Sequence, residues 1–161
     1  MTSNAHEPVS VLSAIELIRL RPAMFFGDCG PFMSDLVGLV VQDAFASGAT
    51  KIEVVSEGDL VVVSADVDWM GHIGLSLQEL FSRFTNPYGA LRPNSHRSEV
   101  LIAAIAEGYF TDGEAGKFAS NFSTDGLPRR IMASIGDGAR SFAWRYSVPK
   151  GGTWTDHAFS A

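Results

Sequence analysis

Cysteine and long apolar runs are what this sequence most clearly lacks. Of its 161 residues only Cys29 is a cysteine, which excludes an internal disulfide and suits a reducing compartment. The longest apolar runs, such as Leu60 to Val63, are far too short to span a bilayer. The polar stretch Met1 to Pro8 lacks the charged and then apolar segments of a signal peptide. The sequence therefore predicts a cytoplasmic protein with no membrane partner.

Positive charge is scarce as well. Lys and Arg number 12 against 18 Asp and Glu, which gives a net charge of -6, and the basic residues form no cluster. Such a surface repels the phosphate backbone of nucleic acids, so no nucleic-acid partner is expected. The chain also lacks metal-ligand spacings such as C-x-x-C or H-x-x-x-H. No metal and no other cofactor are therefore expected.

The composition that is present, 46% hydrophobic and 19% charged, is that of an ordinary globular protein. The length predicts a single domain over residues 1–161, with residues 1–10 as a flexible N-terminal arm. Capping patterns and hydrophobic periodicity predict four helices. These run from Ser13 to Pro22, from Ser34 to Ser47, from Ser76 to just before Asn86, and from Ser98 to Glu107.

Strands are predicted from β-branched runs that are separated by turn residues. An early hairpin joins Lys51 to Ser56 with Leu60 to Ser64, and a later antiparallel meander comprises Lys117 to Ser123, Leu127 to Ile135, Ala139 to Val148 and Thr153 to Phe159. Helices gathered early and strands gathered mostly late predict an α+β fold. We expect a helix layer packed on one face of a mixed, mainly antiparallel sheet.

One segment resembles a known family. Arg21-Pro22-Ala23-Met24-Phe25-Phe26-Gly27 is similar to the Arg-Pro-Gly-Met-Tyr-Ile-Gly that follows the first helix of gyrase B and topoisomerase IV. The order of the predicted elements follows that family over nearly the whole chain, up to Gly152-Thr153. The resemblance implies a stand-alone, divergent ATP-binding domain of the GHKL (Bergerat-fold) type, built as a two-layer sandwich.

The resemblance also implies that ATP hydrolysis has been lost. In the family, the second helix carries a Glu that activates water and, four residues later, an Asn that holds magnesium, and this chain has Leu39 and Asp43 there. A leucine cannot accept a proton. The family's glycine-rich lid corresponds to residues 94–100, which contain no glycine. They place Glu99 in the first turn of a helix, where its charge would repel a triphosphate.

The resemblance implies that this chain has kept the ability to recognise the ring of a ligand. The family motif Asp-x-Gly-x-Gly, whose Asp binds the adenine amino group, corresponds to residues 66–70. Asp66 keeps the Asp, while Asp68 and Met70 replace both glycines and rebuild the pocket wall. Thr153 matches a family Thr that contacts adenine. Asp66 could instead simply cap the turn that follows the strand.

Three classes of function remain open. The first is a non-hydrolysing protein that binds a small molecule, such as a flat heterocycle, in the remodelled cleft, through Leu39, Asp43, Asp66, Trp69, Met70 and Thr153. The second is an enzyme that uses this cleft for non-nucleotide chemistry, with proton-transfer candidates Asp66, Asp68, His72 and His96. The third is an interaction module that mimics or pairs with a gyrase-type subunit through its N-terminal arm, and a homodimer is compatible with it.

Overall fold

The computed structural model describes residues 12–27, 30–71, 75–82 and 97–146. The helices in these ranges are α1 (Ala14–Leu20), α2 (Ala23–Phe26), α3 (Met33–Ala46), α4 (Leu77–Ser82), α5 (Ser98–Ile105) and α6 (Arg129–Ile135). The strands are β1 (Ile52–Glu57), β2 (Leu60–Ala65), β3 (Gly108–Gly113), β4 (Gly116–Ser120) and β5 (Arg140–Arg145). None of these helices is both long and apolar enough to cross a membrane.

Local sequence explains where α1 begins and where α3 ends. The Ser13 hydroxyl accepts a hydrogen bond from the Glu16 N–H, and the Glu16 carboxylate accepts one from the Ser13 N–H, which is a capping box. In α3, Val40 and Ala44 lie one turn apart and are fully buried, as expected for the core-facing stripe. Gly48 then adopts a φ of 95°, a left-handed conformation that favours glycine beyond a helix end.

The five strands form one antiparallel sheet in the order β1-β2-β5-β3-β4. The hairpins β1-β2 and β3-β4 lie on either side of β5, which pairs with β2 and with β3. Val62 of β2 and Phe110 of β3 both stand opposite Ala143 of β5. The central strand of the sheet is therefore the last of the described strands in chain order.

Alternate residues of each strand point to opposite faces, so the sheet contributes to two apolar clusters. On one face, Val63 and Phe142 pack with residues of α3, α4 and α5 in the main core. On the other face, Val62 and Ala143 pack against α6. The expected α+β fold, with a helix layer packed on a mainly antiparallel sheet, is confirmed.

Two expectations about individual elements are wrong. The segment Leu127 to Ile135, predicted as a strand, forms α6, because Ile131 and Ile135 bury themselves at the spacing of one helical turn. Strand β3 begins at Gly108, directly after the end of the helix predicted from Ser98 to Glu107, and was not predicted at all. The predicted strand from Thr153 to Phe159 lies outside the described residues.

Candidate functional site

Asp66 lies on the surface, immediately after β2, and is bound to Thr50. Its carboxylate accepts hydrogen bonds from the Thr50 N–H, at 3.0 Å, and from the Thr50 hydroxyl. The Thr50 hydroxyl, and after it the backbone of Lys51, lowers the pKa of the Asp66 carboxyl group. Asp66 thus joins the end of β2 to the segment just before β1, a contact that neither of its two predicted roles describes. Recognition of a ligand ring by Asp66 stays a prediction.

Asp68 points inward and forms a bidentate ion pair with Arg140 of β5. Arg140 is fully buried, and its Nε and Nη2 atoms donate to the two carboxylate oxygens at 2.7 and 2.6 Å. The same carboxylate accepts hydrogen bonds from the N–H groups of Met70, Gly71 and Ala115. The pair therefore joins three separate parts of the chain, namely the loop after β2, the β3-β4 turn and β5.

The hydrogen bonds around Asp68 keep it ionised. Burial acts to raise the pKa of its carboxyl group, but hydrogen bonds from Arg140 and Ala115 and the charge of Arg140 outweigh burial, so the pKa is lowered. The remaining nitrogen of Arg140, Nη1, donates to the Thr111 hydroxyl and to the Gly116 carbonyl, each at 3.1 Å. Asp68 is therefore part of a structural ion pair. That arrangement does not favour Asp68 as a proton-transfer group.

Trp69 and Met70 belong to the main core. Their exposed fractions are 4% and 0%, so neither side chain presents a surface to solvent. The Met70 sulfur lies 3.4 Å from the Thr111 hydroxyl. The indole N–H of Trp69 has no hydrogen-bond partner among the described residues. Both side chains, which the sequence predicts to contact a ligand, pack within the main core.

Asp43 meets the N-terminus of α5. One of its oxygens accepts a hydrogen bond from the Ser98 N–H at 3.3 Å. Beside it, the buried Arg97 donates from Nε to Glu99 Oε1 at 2.7 Å and also contacts that oxygen through Nη2. Burial lowers the pKa of Arg97 to about 10, against the opposing effect of the Asp43 charge. The positive charge of Arg97 is thus matched by carboxylates of the protein itself.

A cavity with a volume of about 390 Å³ opens between α2 and α3. Its lining consists of two phenylalanines from α2, a proline, and residues from one side of α3: Phe25, Phe26, Pro31, Ser34, Asp35, Leu36, Gly38, Leu39 and Gln42. Among the expected ligand-binding residues in the described ranges, Leu39 is the one that lines this cavity. Asp43, Asp66, Trp69 and Met70 lie elsewhere, in the contacts given above.

Gly38 forms part of the cavity lining from the middle of α3. A Cβ atom built at this position meets no described atom within 4 Å. Glycine inside a helix costs about 1 kcal/mol relative to alanine, and no contact requires it here. One turn to either side, Asp35 and Gln42 lie on the same helical face. The missing side chain therefore enlarges the cavity without serving the packing of the described residues.

The cavity residues other than Leu39 were not predicted as a site. The available signal was Gly38 itself, an isolated glycine within a strongly periodic helix. His72, His96 and Thr153 lie outside the described residues, so their predicted roles stay predictions. Within the described ranges, no group of three or more His, Cys, Asp or Glu residues could hold a metal ion.

Comparison with models of known protein families, with curated proteins and with solved structures finds no match.

Proposed function

We propose that this chain is a non-hydrolysing small-molecule-binding protein whose ligand lies in the cavity between α2 and α3. The observation that carries the proposal is an open cavity of about 390 Å³ on regular helices, with Gly38 in its lining. Ligand pockets commonly have volumes of about 300–1,000 Å³ and mostly apolar walls with a few polar groups. Ser34, Asp35 and Gln42 supply such polar groups here.

The resemblance to gyrase B bears on this proposal through the position of Leu39. Leu39, at the position of the family's general base, lines the cavity and also packs against the cluster formed by α1 and α5. The ligand would then contact the helix that carries catalysis in the family. Leucine offers it apolar surface and no proton acceptor.

Nucleotide hydrolysis is not supported by the charges in the site. At the N-terminus of α5, Arg97 is buried against Glu99, and Asp43 accepts a hydrogen bond from the neighbouring Ser98 N–H. Releasing Arg97 to bind a phosphate would leave Glu99 buried without its counter-ion, which is costly. We therefore expect no magnesium-dependent release of phosphate from ATP. Turnover that is present in the wild type and disappears in Asp66→Ala would overturn this part of the proposal.

The decisive variant for the binding proposal is Gly38→Leu. The leucine side chain enters open space, so it should fill the cavity while improving helix propensity. We expect loss of ligand binding together with unchanged or increased stability against urea. A matched control is Gly136→Leu, because Gly136 also has open space at its Cβ position and follows α6, on the other face of the sheet.

The ligand for this test is identified by mass spectrometry of compounds that copurify with the protein. Alternatively, it is a library compound that shifts the melting temperature of the protein. Its binding is then measured by calorimetry in wild type, Gly38→Leu and Gly136→Leu. Equal affinity in all three proteins would show that the cavity is not the site. Loss of affinity in Gly38→Leu alone supports the proposal.

A further inference from the structure

The cavity contains little positive charge to attract an anion. Among the described residues that line it, Asp35 is the charged one, and none is a Lys or an Arg. Asp35 is exposed and its Oδ2 accepts a hydrogen bond from the Phe32 N–H at 3.3 Å. An ionised carboxylate has about four acceptor positions, so Asp35 retains capacity for a donor on a ligand.

The apolar part of the lining is partly aromatic. Phe25 and Phe26, the two half-buried rings of α2, border the cavity together with Pro31 and Leu39. On the opposite side, the absence of a side chain at Gly38 leaves the backbone of α3 accessible. A planar ring can therefore approach α3 closely while it contacts apolar side chains.

Resting on the proposed function, we propose that the ligand is an aromatic or heteroaromatic compound that carries a cationic nitrogen. The ring fills the apolar part of the cavity, and the charged nitrogen lies near Asp35 and the aromatic faces. Both groups favour a cation, the carboxylate through its charge and the rings through their negative faces. The exposed Gln42 amide can accept a further hydrogen bond from the ligand. A phosphate or carboxylate group on a ligand would meet no positive charge among the described lining residues.

Three indoles of similar shape separate the effect of charge from that of the ring. Tryptamine is a cation at neutral pH, 3-ethylindole is neutral, and indole-3-propionate is an anion. We expect calorimetry at low salt to give tryptamine an affinity about tenfold higher than that of 3-ethylindole, with indole-3-propionate weakest.

Asp35→Asn tests the role of the carboxylate. Asparagine keeps a side-chain oxygen that can accept the hydrogen bond from the Phe32 N–H, so α3 should stay folded while the charge is removed. The preference for tryptamine over 3-ethylindole should fall toward unity in this variant. It should persist in Asp125→Asn, which removes an exposed carboxylate from a turn outside the cavity.

The outcomes distinguish the ligand class from the cavity proposal itself. If 3-ethylindole or indole-3-propionate binds as tightly as tryptamine and Gly38→Leu abolishes that binding, the cation is wrong and the cavity stands. If none of the three indoles binds, the proposed ligand class is likewise overturned. The proposed function is judged separately, by the copurifying or library compound and its response to Gly38→Leu.

Discussion

The two ion pairs formed by the buried arginines Arg140 and Arg97 are built in different ways. Asp68 and Arg140 are 72 residues apart, and three backbone N–H groups assist the carboxylate. Arg97 and Glu99 are two residues apart, and both Arg97 contacts go to one carboxylate oxygen. The first pair connects distant parts of the fold, whereas the second neutralises charge at one helix end.

This difference shows two ways in which a buried arginine can be neutralised. Arg140 receives its carboxylate from the loop that follows another strand. Arg97 receives one from a residue two positions along the same helix end. The long-range pair should therefore matter more for stability, and the following predictions test that ranking from the largest effect to the smallest.

Asp68→Ala should destabilise the protein by about 3–5 kcal/mol, because it leaves the fully buried Arg140 without its counter-ion. Urea denaturation monitored by circular dichroism measures the loss. The control is Asp137→Ala, which breaks an exposed ion pair with Lys51 at 3.5 Å and should cost less than about 1 kcal/mol. Similar losses in the two variants would contradict a structural role for Asp68.

Glu99→Gln should cost about 1–3 kcal/mol, less than Asp68→Ala. The glutamine carbonyl can still accept a hydrogen bond from Arg97, and the Asp43 charge remains close to that guanidinium. Urea denaturation again measures the loss. The control is Glu57→Gln, at the exposed end of β1, which should leave the stability nearly unchanged. A loss as large as that of Asp68→Ala would reverse the proposed ranking of the two pairs.

Acid should weaken the fold partly through Asp68. Its pKa is lowered in the folded state, so its stabilising effect is complete above the ordinary carboxyl pKa, about 4, and is lost as the pH falls through the lowered value. Wild-type stability should therefore decrease below about pH 4. In Asp68→Asn this decrease should be smaller, although Asp66 and Glu16, whose pKa values are also lowered, should still contribute. If the stability of wild type and of Asp68→Asn fell equally with decreasing pH, Asp68 would not contribute to the acid sensitivity of the fold.

The variant Tyr146→Phe measures how much one uncharged hydrogen bond contributes to the stability of the fold. The Tyr146 hydroxyl donates to the Pro31 carbonyl at 3.1 Å, so its removal should cost about 0.5–1.5 kcal/mol at pH 7. Burial raises the pKa of Tyr146 to about 12. Its contribution is therefore complete below about pH 10 and is lost as the pH rises through about 12. The difference between wild type and variant should narrow at alkaline pH, and a difference that widens there would contradict this.

The parts of the fold that the sequence predicts are those with a clear local period. Helix α3 and the β1-β2 hairpin are examples, because their apolar spacing is visible within a short window. The strand prediction for residues 127–135 is wrong because this short apolar run is compatible with either a strand or a helix. The packing of Ile131 and Ile135 against the sheet selects the helix. Tertiary packing, rather than local preference, determines such segments.

The site follows the same rule. The partner of Asp66 was not foreseeable, because Thr50 lies 16 residues earlier in the chain. The partner of Asp68 was not foreseeable either, since nothing local to Asp68 indicates an arginine 72 residues away. The cavity depends on how α2 lies beside α3, an arrangement that no spacing in the sequence specifies.

The central position of β5 has a consequence for how the protein is made. A ribosome releases both hairpins before it releases Arg140–Arg145, the strand that joins them. Until then, Val62 and Phe110 lack their common partner in β5, Ala143, and each hairpin keeps open the strand edge that pairs with β5. Joining segments this distant in sequence slows folding, and open strand edges favour aggregation meanwhile. Nascent chains that stop before β5 should thus be the form that most needs a chaperone.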